Sequence, residues 1–164
     1  MKGFSLKWCN WVEHFTQGGN VNIKVNDQLG NYFQTRNGLR QGDPLSSILF
    51  NIVADMLALL IARAKEAGQV EGVIPHLGQD GLSILQYADD TVIFMSLDFE
   101  KTVNMKLLLS TFEQLSGLKF NFHKSEIFSF GKAKEYEVSY SQLFGCDIGK
   151  HPFRYLGLRM RNGA

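Results

Sequence analysis

Asp43-Pro44, followed by an apolar run as far as Gly68, constrains the fold of this 164-residue chain more than any other feature. Asp is a good helix cap, Pro is preorganised for the first helical position and Gly is a natural stop, so the pattern predicts one helix over 44–67. Its apolar residues, among them Leu45, Ile48, Leu49, Ile52, Val53, Met56, Leu57, Leu59, Leu60 and Ile61, cover much more than one stripe. A helix of that kind should be largely buried, so other elements must cover it. With 45% apolar residues the chain can build the core of a single domain.

The remaining pattern mixes helices with hairpins. Ser5 can cap a short helix carrying Trp8, Trp11, Val12 and Phe15 on one face and ending at Gly18-Gly19. Residues 21–25 and 32–35 alternate with period two around a five-residue loop. Asp98 can cap a second long helix, with Val103, Leu107, Leu108, Phe112 and Leu115 inward and Gly117 at its end. Residues 118–122 and 127–130 read as paired strands, 133–144 as a third helix and 153–158 as a last strand. Helices and hairpins are segregated, which defines an α+β class with a mainly antiparallel sheet and covering helices. Neither a linker nor a repeat divides the chain, so 1–164 reads as one domain.

Charge and cysteine content narrow the functional classes. The net charge is only +1, but residues 1–50, 51–118 and 119–164 carry +2, −5 and +4, so a basic C-terminal segment suited to a phosphate backbone follows an acidic centre. An ordinary solvated surface would account for the same basic residues. Cys9 and Cys146 lack ligand-spaced partners and read as buried thiols. The apolar stretches are interrupted before the ~20 residues that span a bilayer, and residues 1–20 lack a secretion-signal pattern. An intracellular chain, nuclear or cytoplasmic, is expected, with no membrane segment and no evident oligomeric state.

Within the acidic centre, Tyr87-Ala88-Asp89-Asp90 separates the apolar runs 82–85 and 91–95. Adjacent carboxylates at the tip of a hairpin repel each other, and neither run supplies a Lys or Arg to neutralise them. A divalent cation resolves that conflict: Mg²⁺ takes carboxylate oxygens and keeps positions open for substrate phosphates. A polar turn that happens to hold two Asp is the plain alternative.

Four segments in order carry a resemblance. They are Gly38-Leu39-Arg40-Gln41-Gly42-Asp43-Pro44-Leu45-Ser46, then Tyr87-Ala88-Asp89-Asp90, then residues 116–125 ending in His123-Lys124-Ser125, then Phe153-Arg154-Tyr155-Leu156-Gly157. Together they resemble the consecutive core motifs B to E of reverse transcriptases of non-LTR, LINE-type retrotransposons, especially those abundant in plant genomes. The resemblance implies a palm-like (ferredoxin-like) fold and template-directed nucleotidyl transfer by two-metal catalysis with Mg²⁺, or Mn²⁺ in its place. An RNA template, a DNA primer and deoxynucleoside triphosphates are the implied partners.

Position by position, the resemblance makes Asp89 a direct metal ligand and Asp90 its weaker neighbour. Tyr87 and Ala88 would lie beside the primer end, and Arg40, Gln41 and Gly42 at the nucleotide and template. Lys124 would protonate or neutralise the leaving pyrophosphate, and Tyr155, Leu156 and Gly157 would form the primer grip. Helix capping and surface charge also account for Arg40 and Asp43, an exposed turn for Lys124, and a core strand with a Gly bend for residues 155–157. The family's third metal carboxylate belongs to a strand motif upstream of residue 1, and Ser47 replaces a usual proline. On that reading the chain is a partial reverse transcriptase domain, incomplete at its N-terminus and ending before the thumb. It is expected to be inactive alone and a poor independent folder. The competing class is a noncatalytic remnant that binds nucleic acid or protein; a metal-dependent phosphohydrolase lacks a His or third carboxylate at suitable spacing.

Overall fold

The computed structural model describes residues 3–16, 19–34, 42–73 and 81–160. Two compact units, Met1–Phe50 and Asn51–Ala164, divide the chain. In the first, α1 (Leu6–Thr16) starts where the Ser5 hydroxyl accepts the Trp8 N–H at 3.3 Å, and Phe4 stacks on Trp8 with ring centroids 4.1 Å apart. No residue of α1 is buried, and Trp11 and Phe15 are exposed.

The hairpin after α1 is tighter than its sequence suggests. Strands β1 (Asn20–Val21) and β4 (Phe33–Gln34) pair outside β2 (Lys24–Val25) and β3 (Gln28–Leu29). A two-residue turn joins the inner pair, Asn26 and Asp27 at φ 49° and 63°, in place of the expected five-residue loop. Asn and Asp tolerate this left-handed backbone better than most residues, and two positive φ values match the twist of a hairpin.

Helix α2 (Pro44–Glu66) runs where expected. The Asp43 carboxylate accepts the Leu45 N–H at 2.8 Å, and beyond the helix Gly68 adopts φ +70°. Burial departs from expectation: Leu49, Leu57, Ile61 and Ala64 are buried, whereas Ile48 and Leu59 are exposed. The 57–61–64 spacing is one helical stripe, because in the second unit the neighbouring elements cover one side of α2 rather than all of it. At 23 residues α2 is long and apolar enough to cross a bilayer, which corrects the expectation that such stretches fall short. In the second unit, however, its stripe enters the core.

That core joins Leu57 and Ile61 of α2, each 1% exposed, to Met105, Leu109 and Phe112 of α3 (Phe99–Ser116). Both termini of α3 agree with its sequence: the Asp98 carboxylate accepts the Lys101 N–H at 3.1 Å, and Gly117 takes φ 73°. Its inward face agrees in part: Phe112 is buried and Leu108 packs against the core, as expected. Thr102, Met105, Leu109 and Phe112 are buried, while Leu107 and Leu115 are 60% and 65% exposed, because apolar residues occupy both sides and the 105–109–112 stripe faces the core. Lys101 Nζ lies 2.7 Å from Glu71 Oε2, a hydrogen-bonded pair that lowers the Glu71 pKa and raises that of Lys101. Solvent reaches both groups, so the pair adds little stability.

These packing differences set a test. Leu57→Ala is expected to destabilise the protein by about 2–5 kcal/mol through cavity formation. Leu107→Ala, on the exposed side, should change stability by no more than about 0.5 kcal/mol. Urea unfolding midpoints check both; equal losses would show that α3 is packed in the other phase.

Strands β5 (Ile84–Tyr87) and β6 (Asp90–Ile93) form an antiparallel hairpin whose paired Ile84 and Ile93 pack against the core. Residues 118–122 form no strand, because the Glu113 carboxylate takes the Phe120 N–H at 2.7 Å and residues Phe122–Lys124 close a 3-10 turn. Instead β7 (Glu126–Ile127) pairs in parallel with β8 (Asp147–Ile148), and a 3-10 segment over Gly131–Tyr136 delays α4 (Glu137–Phe144). The last expected strand is a hairpin of β9 (Phe153–Tyr155) and β10 (Leu158–Met160). The class is therefore α+β, with two-stranded ladders rather than one continuous sheet among the described residues. Cys146 is buried as expected, and burial pushes its thiol pKa up against the lowering effect of Lys106; Cys9, by contrast, is exposed on α1, none of whose residues is buried among the described residues.

Candidate functional site

The acidic motif forms the tip of the β5–β6 hairpin. Tyr87 pairs with Asp90 across the ladder, which leaves Ala88 and Asp89 as the turn. Asp90 is therefore the first residue of β6, one position beyond the turn that was expected to hold both carboxylates. Ala88 has φ +52°, uncommon for a residue with a Cβ. Its strained backbone is what lets a two-residue connection reverse the chain, and strain of this kind concentrates at functional sites.

Strand alternation divides the hairpin into two faces. Ile84, Gln86, Thr91 and Ile93 share the face turned toward the core. Leu85, Tyr87, Asp90 and Val92 share the other, where Tyr87 is 65% exposed. Asp89 and Asp90 are both exposed, and no Lys or Arg pairs with either among the described residues. The donor chemistry suits a hard divalent cation, since two carboxylates stand together without a protein counter-charge. Two ligands are what the hairpin supplies: among the described residues no group of three or more His, Cys, Asp or Glu is placed to hold a metal.

The other expected site residues lie on separate elements. Gly42, exposed at φ +86°, precedes the α2 cap and adopts a backbone that a side chain would strain. Asp43 is the helix cap itself, and its carboxylate occupies the end of α2 at which a phosphate would otherwise meet N–H donors. Arg40 and Gln41 lie outside the described residues. Lys124 is exposed at the end of the 3-10 turn, and no ion pair joins it to Asp89 or Asp90 among the described residues. Tyr155 pairs with Leu158, and Leu156 and Gly157 form the turn at φ 49° and 80°, so the proposed grip residues sit at the bend of a two-stranded hairpin. Sequence reasoning passed over Lys106 and Glu113, which touch the segment that carries Lys124. Their separation by seven residues on α3, two helical turns on one side, was the available signal.

With the acidic hairpin and the second, turn-bearing hairpin in place, the comparison with known proteins settles the class. Residues 1–160 match the reverse transcriptase (RNA-dependent DNA polymerase) family, and the chain belongs to it. It is similar to the Retrovirus-related Pol polyprotein from type-2 retrotransposable element R2DM of Drosophila melanogaster, 31% identical over 126 residues that make up 75% of this chain and 10% of that polyprotein. The corresponding type-1 element R2 polyprotein of Popillia japonica is 29% identical over 146 residues, 84% of this chain and 23% of its own length. An uncharacterized mitochondrial protein of Arabidopsis thaliana is 43% identical over 54 residues, 33% of this chain and 44% of its own length. The chain thus spans less than half the length of each of these relatives, and its kinship is with reverse transcriptases of non-LTR retrotransposable elements.

Proposed function

We propose that this chain forms the palm-like part of an intracellular RNA-directed DNA polymerase that adds deoxynucleotides to a DNA primer along an RNA template. The observation that carries this reading is the hairpin tip, where two exposed carboxylates, Asp89 in a strained two-residue turn and Asp90 at the start of the next strand, stand without a basic partner among the described residues. Asp89 and Asp90 would hold Mg²⁺, or Mn²⁺ in its place, and family membership supports the use of divalent ions. When bound, such ions activate a primer hydroxyl and neutralise a triphosphate. Tyr87 and Ala88 would border the primer end, Arg40, Gln41 and Gly42 the incoming nucleotide and template, and residues 155–157 the primer strand. Lys124 would deliver a proton to the departing pyrophosphate.

Cation titration of a polymerase-active polypeptide that contains residues 1–164 tests the site directly. Mg²⁺ is expected to shift the backbone amide signals of residues 88–90 with a dissociation constant on the order of millimolar, as suits a site with few carboxylates. Mn²⁺ should broaden the same signals, and Asp89→Asn should remove both effects. Uniform or absent responses would overturn the metal assignment.

A further inference from the structure

We propose that Lys106 is a positioning residue which, together with Glu113, sets where the Lys124 ammonium stands; the inference rests on the role given to Lys124 above. Both residues project from one side of α3, two turns apart. Lys106 Nζ lies 3.5 Å from the centroid of the Phe122 ring and 5.6 Å from that of Phe144, and it donates to the Phe144 carbonyl at 3.1 Å. Phe144 ends α4, where unpaired carbonyls and the helix dipole favour a cation. A half-buried ammonium thus finds two aromatic faces and an acceptor at one point, a stronger tether than an exposed ion pair.

The second tether is the Glu113 carboxylate, which accepts the Phe120 N–H at 2.7 Å. Between the two tethers the aromatic rings pack in succession: the Phe120 and Phe122 rings are 5.9 Å apart, and Phe112 lies 5.8 Å from Phe120. Downstream, the Lys124 N–H donates to the Asn121 carbonyl at 3.0 Å and the Ser125 N–H to the Phe122 carbonyl at 3.2 Å. Lys124 is therefore two residues from a ring pinned by Lys106, inside the same hydrogen-bonded turn. An apolar side chain at 106 could fill the space between Phe122 and Phe144 but would hold neither the ring face nor the carbonyl.

The test uses an active reverse transcriptase polypeptide that contains residues 1–164. Lys106→Met is expected to lower the turnover number for single-nucleotide addition by about tenfold, a fraction of the 100- to 10,000-fold that a general acid supplies, with KM for the nucleotide unchanged. Lys106→Arg should recover activity to within about twofold, because a guanidinium also binds ring faces and carbonyls. Combined with Lys124→Ala, Lys106→Met should add no further loss and should leave the altered pH–rate profile of the single variant as it is. Additive losses, or a Lys106→Arg variant as slow as Lys106→Met, would overturn the inference.

Amide hydrogen exchange separates this inference from the reading beneath it. In Lys106→Met the Phe120, Lys124 and Ser125 amides should exchange faster, and in Lys106→Arg they should keep their protection. Unchanged exchange in both variants would overturn the positioning role. A Lys124→Ala enzyme with normal rate and pH profile would instead overturn the role of Lys124, and the exchange data alone would then decide whether Lys106 holds the turn.

Discussion

Asp89→Ala, introduced into a polymerase-active polypeptide that contains this chain, is expected to reduce primer extension by at least about 1,000-fold, the upper range for removing one preorganised electrostatic stabiliser. Phosphoryl transfer leaves little covalent work to the protein, so the rate depends on positioned charge, which Asp89 would supply from the hairpin tip. Asp90→Asn should also be severe but milder. It keeps an oxygen donor, and Asp90 sits on the strand opposite Tyr87 rather than in the turn. Because Asp89 is exposed and free of ion pairs among the described residues, its loss should leave the melting transition nearly unchanged. Primer extension and thermal melting measured side by side check the assignment. Near-wild-type extension by Asp89→Ala would refute it, and a collapsed melting transition would trace the loss to folding.

What could be read from the sequence was what neighbouring residues decide. The Asp43 and Asp98 caps, the stops at Gly68 and Gly117 and the Tyr87–Asp90 hairpin each depend on side-chain and backbone chemistry within a few positions. Errors arose where the decision was non-local. The inward face of α3 was ambiguous because Leu107 and Leu115 are as apolar as Leu109, and tertiary packing alone selects the buried stripe. Residues 118–122 have a strand-like composition, yet the Glu113 carboxylate claims the Phe120 N–H, and β7 finds its partner in β8, downstream of α4. The same limit applies to the site. The acidic pair was evident as a local conflict of charge, whereas the tether of Lys106 to Phe122 and Phe144 depends on residues 16 to 38 positions away.

A polypeptide of residues 1–164 is expected to give no measurable primer extension and to fold poorly by itself. In-line displacement needs charge on both the attacking and the leaving oxygens, and the two carboxylates at one hairpin tip would hold metals from one side only. Among the described residues no third ligand completes the group. The same hairpin also raises the folding problem. Strands β5 and β6 pair only with each other among the described residues, so each has an unpaired edge, and the outward face carries exposed Leu85 and Tyr87. Apolar faces beside open strand edges favour association with other chains. Attaching a segment that carries an Asp-bearing strand to the N-terminus should cover one edge and supply a third carboxylate, so solubility, cooperative melting and primer extension should improve together. An active, soluble and cooperatively melting 164-residue polypeptide would show that the hairpin meets its metal and packing needs from within these residues, and both readings would fall.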